Sequence, residues 1–135
     1  DIWSVTSYTE LAREAASIER WNMLNPEEPP KVAYVTQKIT ERGDSPVVSS
    51  TDYIRAFSEQ IRPYVPGNFR TLGTDGFGRS DYRRRLREHF EVDRHFVAVA
   101  ALKALADENK VPSRTVSEAI AKYGINPMKP DPATA

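Results

Sequence analysis

The chain has 135 residues, the length of a single domain and enough to form a hydrophobic core. Its 19 lysines and arginines balance 19 aspartates and glutamates, so no overall field attracts nucleic acid or an anionic membrane. The absence of cysteine excludes disulfides and thiolate chemistry, and no apolar run approaches the roughly 20 residues of a membrane span, so we expect a cytoplasmic protein without membrane partners.

The N-terminal quarter predicts a strand and two helical segments. The β-rich run over residues 2–5 predicts a short strand. Ser7 and Glu10 have the spacing of a capping box, and apolar residues then recur at helical intervals. Three prolines and two glutamates in residues 25–31 predict an exposed connection, after which residues 34–41 predict a short helical turn.

The middle of the chain predicts two more strands. Residues 46–49 and 69–72 are short apolar runs, and the second ends at a glycine. Thr51 or Asp52 is expected to cap a helix between these strands. Strands that alternate with helices are typical of an α/β fold with a parallel sheet.

Three helices are predicted in the C-terminal half. Ser80 is expected to cap the first, and residues 96–106 are apolar almost all round, which is typical of a buried helix. The last helix is expected to begin at Pro112–Ser113 and to end at Gly124. We assign residues 1–127 to the domain and expect the proline-rich residues 128–135 to form a flexible tail.

The turn after the third predicted strand, GTDGFGRSD, is longer than helix capping requires. Its glycine spacing matches neither G-x-x-x-x-G-K-S/T nor G-x-G-x-x-G, the two known phosphate-binding motifs. Asp75 would also place a negative charge where a phosphate must lie. We expect positive φ angles at Gly76 and Gly78, which would hold Phe77 in a fixed, outward position. An exposed aromatic residue between charged neighbours is typical of an interface anchor.

The segment after this turn carries four arginines within five residues: Arg83, Arg84, Arg85 and Arg87. Such a helix either binds nucleic acid or forms a solvated or protein-binding face. Asp81 is spaced to pair with Arg84 or Arg85, and Glu88 with Arg84, so we favour the second interpretation.

The two histidines, His89 and His95, match no known metal-ligand spacing, and no third ligand is evident. A catalytic dyad with Ser80 or Asp93 is the alternative. We favour interface or capping roles for both.

Four segments together resemble a known family: DIWSVTSYTELAREA with ERWNMLNP, STDYIRAFSEQIRPYVP, LGTDGFGRSDYRRRLREHFEVD, and VAVAALKALADENK. They are similar to the C-terminal domain of the homodimeric E1 component of pyruvate dehydrogenase, among the transketolase-like thiamine diphosphate enzymes. The resemblance implies a three-layer α/β/α sandwich with a mixed, mostly parallel five-stranded sheet. It also implies a fragment that lacks the first strand and helix of that domain.

By this resemblance, the whole enzyme decarboxylates pyruvate on thiamine diphosphate and transfers the acetyl group to the dihydrolipoyl acetyltransferase component. The family's GDG…NN motif, which holds the cofactor and Mg²⁺, lies in its first domain. Here Asp75–Gly76 lacks the leading glycine and no Asn-Asn pair follows. We therefore assign no catalytic, cofactor-binding or metal residue to this chain and expect it to be inactive alone.

We therefore expect this chain to contribute to the assembly of the whole enzyme. We expect its glycine-rich corner to pack against the other E1 domains or the dimer mate, through Phe77, Arg79, Ser80, Asp81, Arg83 and His89. The main alternative is a stand-alone α/β protein-interaction module that uses the same corner. A nucleic-acid binder that uses the arginines is the least favoured hypothesis.

Overall fold

The computed structural model describes all residues, 1–135, as two compact units. The first comprises Asp1–Ser45 with Ala56–Gly67, and the second comprises Pro46–Arg55 with Asn68–Ala135. None of the helices combines the length and the apolar content that a bilayer crossing requires. In chain order the elements are α1 (Tyr8–Leu24), α2 (Tyr34–Thr40), β1 (Val47–Ser50), α3 (Ala56–Glu59), a 3₁₀ turn (Arg62–Tyr64), β2 (Phe69–Leu72), α4 (Arg83–His89), α5 (Arg94–Asp107) and α6 (Ser113–Lys122).

The first unit is built around α1, which begins where its cap was predicted. The Ser7 hydroxyl accepts a hydrogen bond from the Glu10 backbone N–H at 3.1 Å. The Glu10 carboxylate accepts from Arg13, so one of the two bonds of a capping box forms. At the other end, Asn25 Nδ2 donates to the carbonyl of Trp21 at 2.8 Å and closes the helix.

The exposed connection after α1 is fixed to that helix by two reciprocal hydrogen bonds. Asn22 Nδ2 donates to the Lys31 carbonyl at 2.9 Å, and the Lys31 N–H donates to Asn22 Oδ1 at 2.8 Å. The Lys31 ammonium lies 3.8 Å from the centre of the Trp21 ring. The chain then enters α2, whose Val35 and Ile39 are buried in the core of this unit.

The second unit contains the sheet. Strands β1 and β2 are parallel, with Val47 opposite Phe69 and Ser50 opposite Leu72. Helix α5 packs on both strands, and α6 packs on α5. The predicted combination of helices with a parallel sheet is confirmed. Because the strands are parallel, the turns that follow them leave from the same edge.

The strand predicted over residues 2–5 is absent, so the sheet has two strands. Ile2 is fully exposed, and Trp3 and Val5 are more than a third exposed. A strand is stable only when its backbone N–H and C=O groups pair with a neighbour, and β-propensity alone does not supply one. Residues 2–5 therefore contribute no strand to the sheet.

Candidate functional site

Two turns, residues 51–55 and 73–78, leave the carboxyl ends of β1 and β2 and are joined by hydrogen bonds. The Thr74 N–H donates to the Tyr53 carbonyl at 2.9 Å. The Thr74 hydroxyl donates to the Asp52 carbonyl at 2.8 Å. These bonds make the second turn a fixed part of the sheet edge.

The residues that were predicted to cap a helix after β1 belong to this edge instead. Thr51 Oγ1 accepts from the Tyr53 N–H at 3.1 Å and closes a local turn. The Asp52 carboxylate accepts from Arg87 of α4 at 3.0 Å. Helix α3 begins only at Ala56, beyond the reach of either side chain as a cap, so this prediction was wrong.

Asp75 is held by an arginine from the first turn. Its Oδ2 accepts from Arg55 Nε at 2.7 Å. A Cβ on Gly73 would lie 2.6 Å from the backbone nitrogen of Arg55, so only glycine fits there. The carboxylate in the glycine-rich turn is therefore committed to an internal ion pair.

Gly76 has a φ angle of 110°, which confirms the predicted positive value. Gly78 is not among the residues with positive φ, so that part of the prediction was wrong. Phe77, between the two glycines, is 80% exposed. The turn thus presents an aromatic ring to solvent.

The C-terminal segment lies directly on Gly76. A Cβ at this position would overlap the carbonyl oxygen of Pro132 and would lie 3.0 Å from its carbonyl carbon. It would also lie 3.1 Å from Cα of Ala133. Glycine is therefore required here both by its φ angle and by this close approach.

The same C-terminal segment is anchored to the end of α4 by Lys129. Its Nζ donates to the His89 carbonyl at 2.6 Å and to Glu91 Oε1 at 3.0 Å. Glu91 adopts a φ angle of 61°, which is uncommon for a residue other than glycine. Sequence reasoning missed Lys129 because its partners lie 40 and 38 residues away and leave no local pattern.

The structure brings together some of the six predicted interface residues. Arg79 Nη1 lies 3.5 Å from His89 Nδ1. Asp81 Oδ1 accepts from the Tyr82 N–H at 2.8 Å. Ser80 does not cap α4, whose N-cap is Tyr82 and has no side-chain hydrogen bond, so that prediction was wrong.

The arginine pairs predicted for α4 do not form. Arg87 reaches across to Asp52, and Arg85 Nε donates to the hydroxyl of Tyr82 at 3.0 Å. Among the described residues, no carboxylate forms an ion pair with Arg83 or Arg84. The exposed arginines next to the turn are therefore available to a partner.

The neighbours of His89 oppose its protonation. Burial and the cations Arg79 and Lys129 lower the pKa of His89 from its ordinary value of 6.5. Glu91 acts in the opposite direction, with a smaller effect. The imidazole beside the turn is therefore favoured in its neutral form at pH 7.

A cavity of about 350 Å³ lies beside α4, α5 and the C-terminal segment. His95 stacks on Tyr123 in its wall, with ring centres 4.7 Å apart. Asp93 lies 3.7 Å from His95 Nδ1, beyond a hydrogen bond, and its Oδ1 accepts from the backbone N–H groups of His95 and Phe96. In this wall Asp93 thus serves helix capping and His95 serves ring packing.

No three histidine, aspartate or glutamate side chains of residues 1–135 lie close enough together to bind a metal ion. Asp75 is paired with Arg55, and Asp93 caps the α5 N-terminus. The glycine-rich turn offers an exposed aromatic side chain, Phe77.

Known proteins resemble this chain along its whole length. Residues 1–93 match the transketolase-like TK C-terminal domain family. The pyruvate dehydrogenase E1 component of Cupriavidus necator is 55% identical over 133 residues, which are 98% of this chain and 15% of that protein. The corresponding component of Pseudomonas aeruginosa is 53% identical over the same shares. That of Escherichia coli is 52% identical over 136 residues, or 100% of this chain and 15% of that protein.

Proposed function

Because the chain belongs to the transketolase-like TK C-terminal domain family, we propose that it is the C-terminal assembly domain of a pyruvate dehydrogenase E1 enzyme. The chain spans about 15% of the length of the relatives it matches. In the whole homodimeric enzyme, other domains would decarboxylate pyruvate and pass the acetyl group to the dihydrolipoyl acetyltransferase component. The lack of cysteine suits a reducing compartment, and we propose the cytoplasm.

The residues of this chain do not fit the cofactors that the whole enzyme would use. Thiamine diphosphate with Mg²⁺ needs oxygen ligands that converge on the ion. Asp75, the nearest match to the family's cofactor motif, is paired with Arg55, and residues 1–135 contain no metal-binding cluster. We therefore place both cofactors on the remaining domains.

The observation that carries the proposal is the exposure of Phe77 on a turn that is fixed on both sides. Its ring is 80% exposed, and burying it at an interface would contribute about 2 kcal/mol. Arg83 and Arg84, in the first turn of α4, form no ion pair with a carboxylate. The partner surface, on a neighbouring E1 domain or the dimer mate, would therefore be apolar with carboxylates at its rim.

The proposal is tested by a chimera in which this chain replaces the matching 133 residues of the Cupriavidus necator enzyme. We expect the chimera to form dimers and to release CO₂ from pyruvate when thiamine diphosphate and Mg²⁺ are added. The Phe77→Ala variant of the chimera is expected to raise the dimer dissociation constant about 30-fold, because it removes an interface anchor of about 2 kcal/mol.

Met23→Ala is the matched control, since Met23 is an apolar side chain of α1 that is 70% exposed. It should leave both dimerisation and turnover unchanged. A folded chimera without activity would contradict the assembly-domain assignment. Unchanged dimer strength and turnover in the Phe77→Ala chimera would contradict the interface assignment alone.

A further inference from the structure

We propose that the C-terminal segment, residues 126–135, is a clamp on the glycine-rich turn, and that Phe77 binds its partner tightly only while this segment is seated. The second half of this inference rests on the proposed interface role of Phe77. The first half is a statement about this chain alone, so the two can be tested separately.

The seat of the clamp is Gly76. The backbone of Pro132 and Ala133 occupies the space that any side chain at this position would need. Phe77 is the next residue along the chain, so the backbone conformation held at Gly76 sets the direction in which the Phe77 ring leaves the turn. Displacement of the segment would remove the atoms that lie nearest to the Cβ position of Gly76, a glycine with a φ angle of 110°.

The anchor of the clamp is Lys129. Its ammonium donates to the carbonyl of His89, the last residue of α4, and to Glu91, and the side chain is only 25% exposed. Hydrogen bonds from a charged group are stronger than neutral ones, especially where water is partly excluded. Arg79, the residue that follows the turn, lies 3.5 Å from the imidazole of the same His89. The anchor therefore holds the C-terminal segment at the helix end that Arg79 also approaches.

The segment also has local order of its own. Asn126 Oδ1 accepts from the Met128 N–H at 2.9 Å, and Asp131 Oδ1 accepts from the Ala133 N–H at 2.9 Å. The Thr134 N–H donates to the Asp131 carbonyl at 3.0 Å. These Asx-type turns restrict the segment before it docks, which reduces the conformational entropy lost on docking.

The position of the segment distinguishes a clamp from an inhibitory cover. A cover would bury the ring that the partner needs, yet Phe77 is 80% exposed while Pro132 lies on Gly76. The segment thus supports the turn and leaves the ring free. Loss of the segment is therefore expected to weaken the binding of the partner, whereas loss of an inhibitory cover would strengthen it.

The test uses four variants of the chimera described above: Lys129→Met, deletion of residues 130–135, Gly76→Ala, and Lys122→Met as the control. Lys122 is exposed at the end of α6 and makes no ion pair. The measurements are amide hydrogen exchange over residues 74–80 and the dimer dissociation constant. We expect each of the first three variants to speed exchange about 10-fold and to raise the dissociation constant about 10-fold, with Lys122→Met unchanged.

A double-mutant cycle shows whether the C-terminal segment and Gly76 are coupled in their effect on hydrogen exchange. Gly76→Ala should speed exchange strongly in the full chimera and have a smaller further effect after residues 130–135 are deleted, because the overlap with Pro132 is then gone and only the φ strain of alanine remains. Additive effects, or exchange that stays at the wild-type rate in the Lys129→Met and deletion variants, would overturn the clamp.

The outcomes also separate this inference from the proposed function. If Phe77→Ala weakens the dimer while the clamp variants do not, the coupling of the clamp to binding is wrong and the interface stands. If the clamp variants speed exchange and neither they nor Phe77→Ala affects dimerisation, the coupling to binding is wrong together with the interface assignment.

Discussion

The guanidinium of Arg55 donates to the carboxylate of Asp75 at 2.7 Å, joining the turns that follow the two parallel strands. The residues are 20 positions apart and meet because parallel strands end at one edge. Their side chains remain 50% and 30% exposed, so water and salt weaken the attraction. The pair therefore positions the turn more than it stabilises the fold.

From this geometry we predict a small energetic effect for the pair. Arg55→Met should lower the free energy of unfolding by about 0.5–1 kcal/mol, because half-exposed ion pairs contribute little. A double-mutant cycle with Asp75→Asn, measured by urea unfolding at low salt and at about 1 M salt, isolates the pair. A coupling energy that does not fall with salt would contradict a solvent-screened pair.

The backbone of the neighbouring turn lies so close to Gly73 that we predict a larger loss of stability there than for Arg55→Met. Gly73→Ala should destabilise the chain by about 1–3 kcal/mol, because its Cβ would lie 2.6 Å from Arg55 N and 2.8 Å from the Tyr53 carbonyl oxygen. Gly78→Ala is the matched control, since nothing lies within 4 Å of a Cβ there and its φ is not positive. Equal stabilities of the two variants in urea unfolding would refute the predicted crowding.

The start of α5 predicts a cost for losing its cap. Asp93 Oδ1 accepts from the N–H groups of His95 and Phe96, both at 2.9 Å. Asp93→Ala should lower the free energy of unfolding by about 1–2 kcal/mol, whereas Asp93→Asn keeps an acceptor and should cost less. Thermal and urea unfolding measure both variants. The cap assignment fails if alanine and asparagine prove equivalent.

The environment of His89 predicts a pH dependence. The pKa of His89 in the folded state lies below 6.5, so the unfolded chain binds more protons than the folded chain as the pH falls. The contribution of His89 to the free energy of unfolding is therefore lost below about pH 6.5. Between about pH 7.5 and about pH 5.5, His89→Gln should therefore lose less stability than the wild type. An NMR titration measures the pKa directly, and a value above 6.5 for the assigned imidazole would disprove the shift.

The two unpaired arginines predict a salt-dependent interface. In the chimera, the double variant Arg83→Gln with Arg84→Gln should weaken dimerisation several-fold at low salt and less at high salt, since it removes attraction to carboxylates. Arg20→Gln, at an exposed arginine of α1, is the control. Should the arginines instead support salt-sensitive binding to duplex DNA, the acidic-rimmed protein partner would be wrong and the nucleic-acid hypothesis would return.

Much of the local structure was predictable from residue spacing. The bounds of α1, β2 and α6 follow from a cap, an apolar period and a terminal glycine, each of which acts within about four residues. The exposed Phe77 corner was likewise predicted from its flanking glycines, although only Gly76 has a positive φ angle. The predictions of caps at Thr51 and Ser80 failed because α3 and α4 begin only at Ala56 and Arg83, and α4 begins without a side-chain cap.

The amino-acid sequence by itself determined the family, most of the helices and the two strands, because periodicity, capping residues and four segments that resemble the family are all local features of the chain. Only the tertiary structure decided that residues 2–5 form no strand, that Lys129 binds the end of α4, and that Pro132 lies on Gly76. The contacts of Lys129 and Pro132 join residues that are about 40 positions or more apart. Formation of a strand over residues 2–5 depends on a neighbouring backbone to pair with, which no local residue pattern encodes.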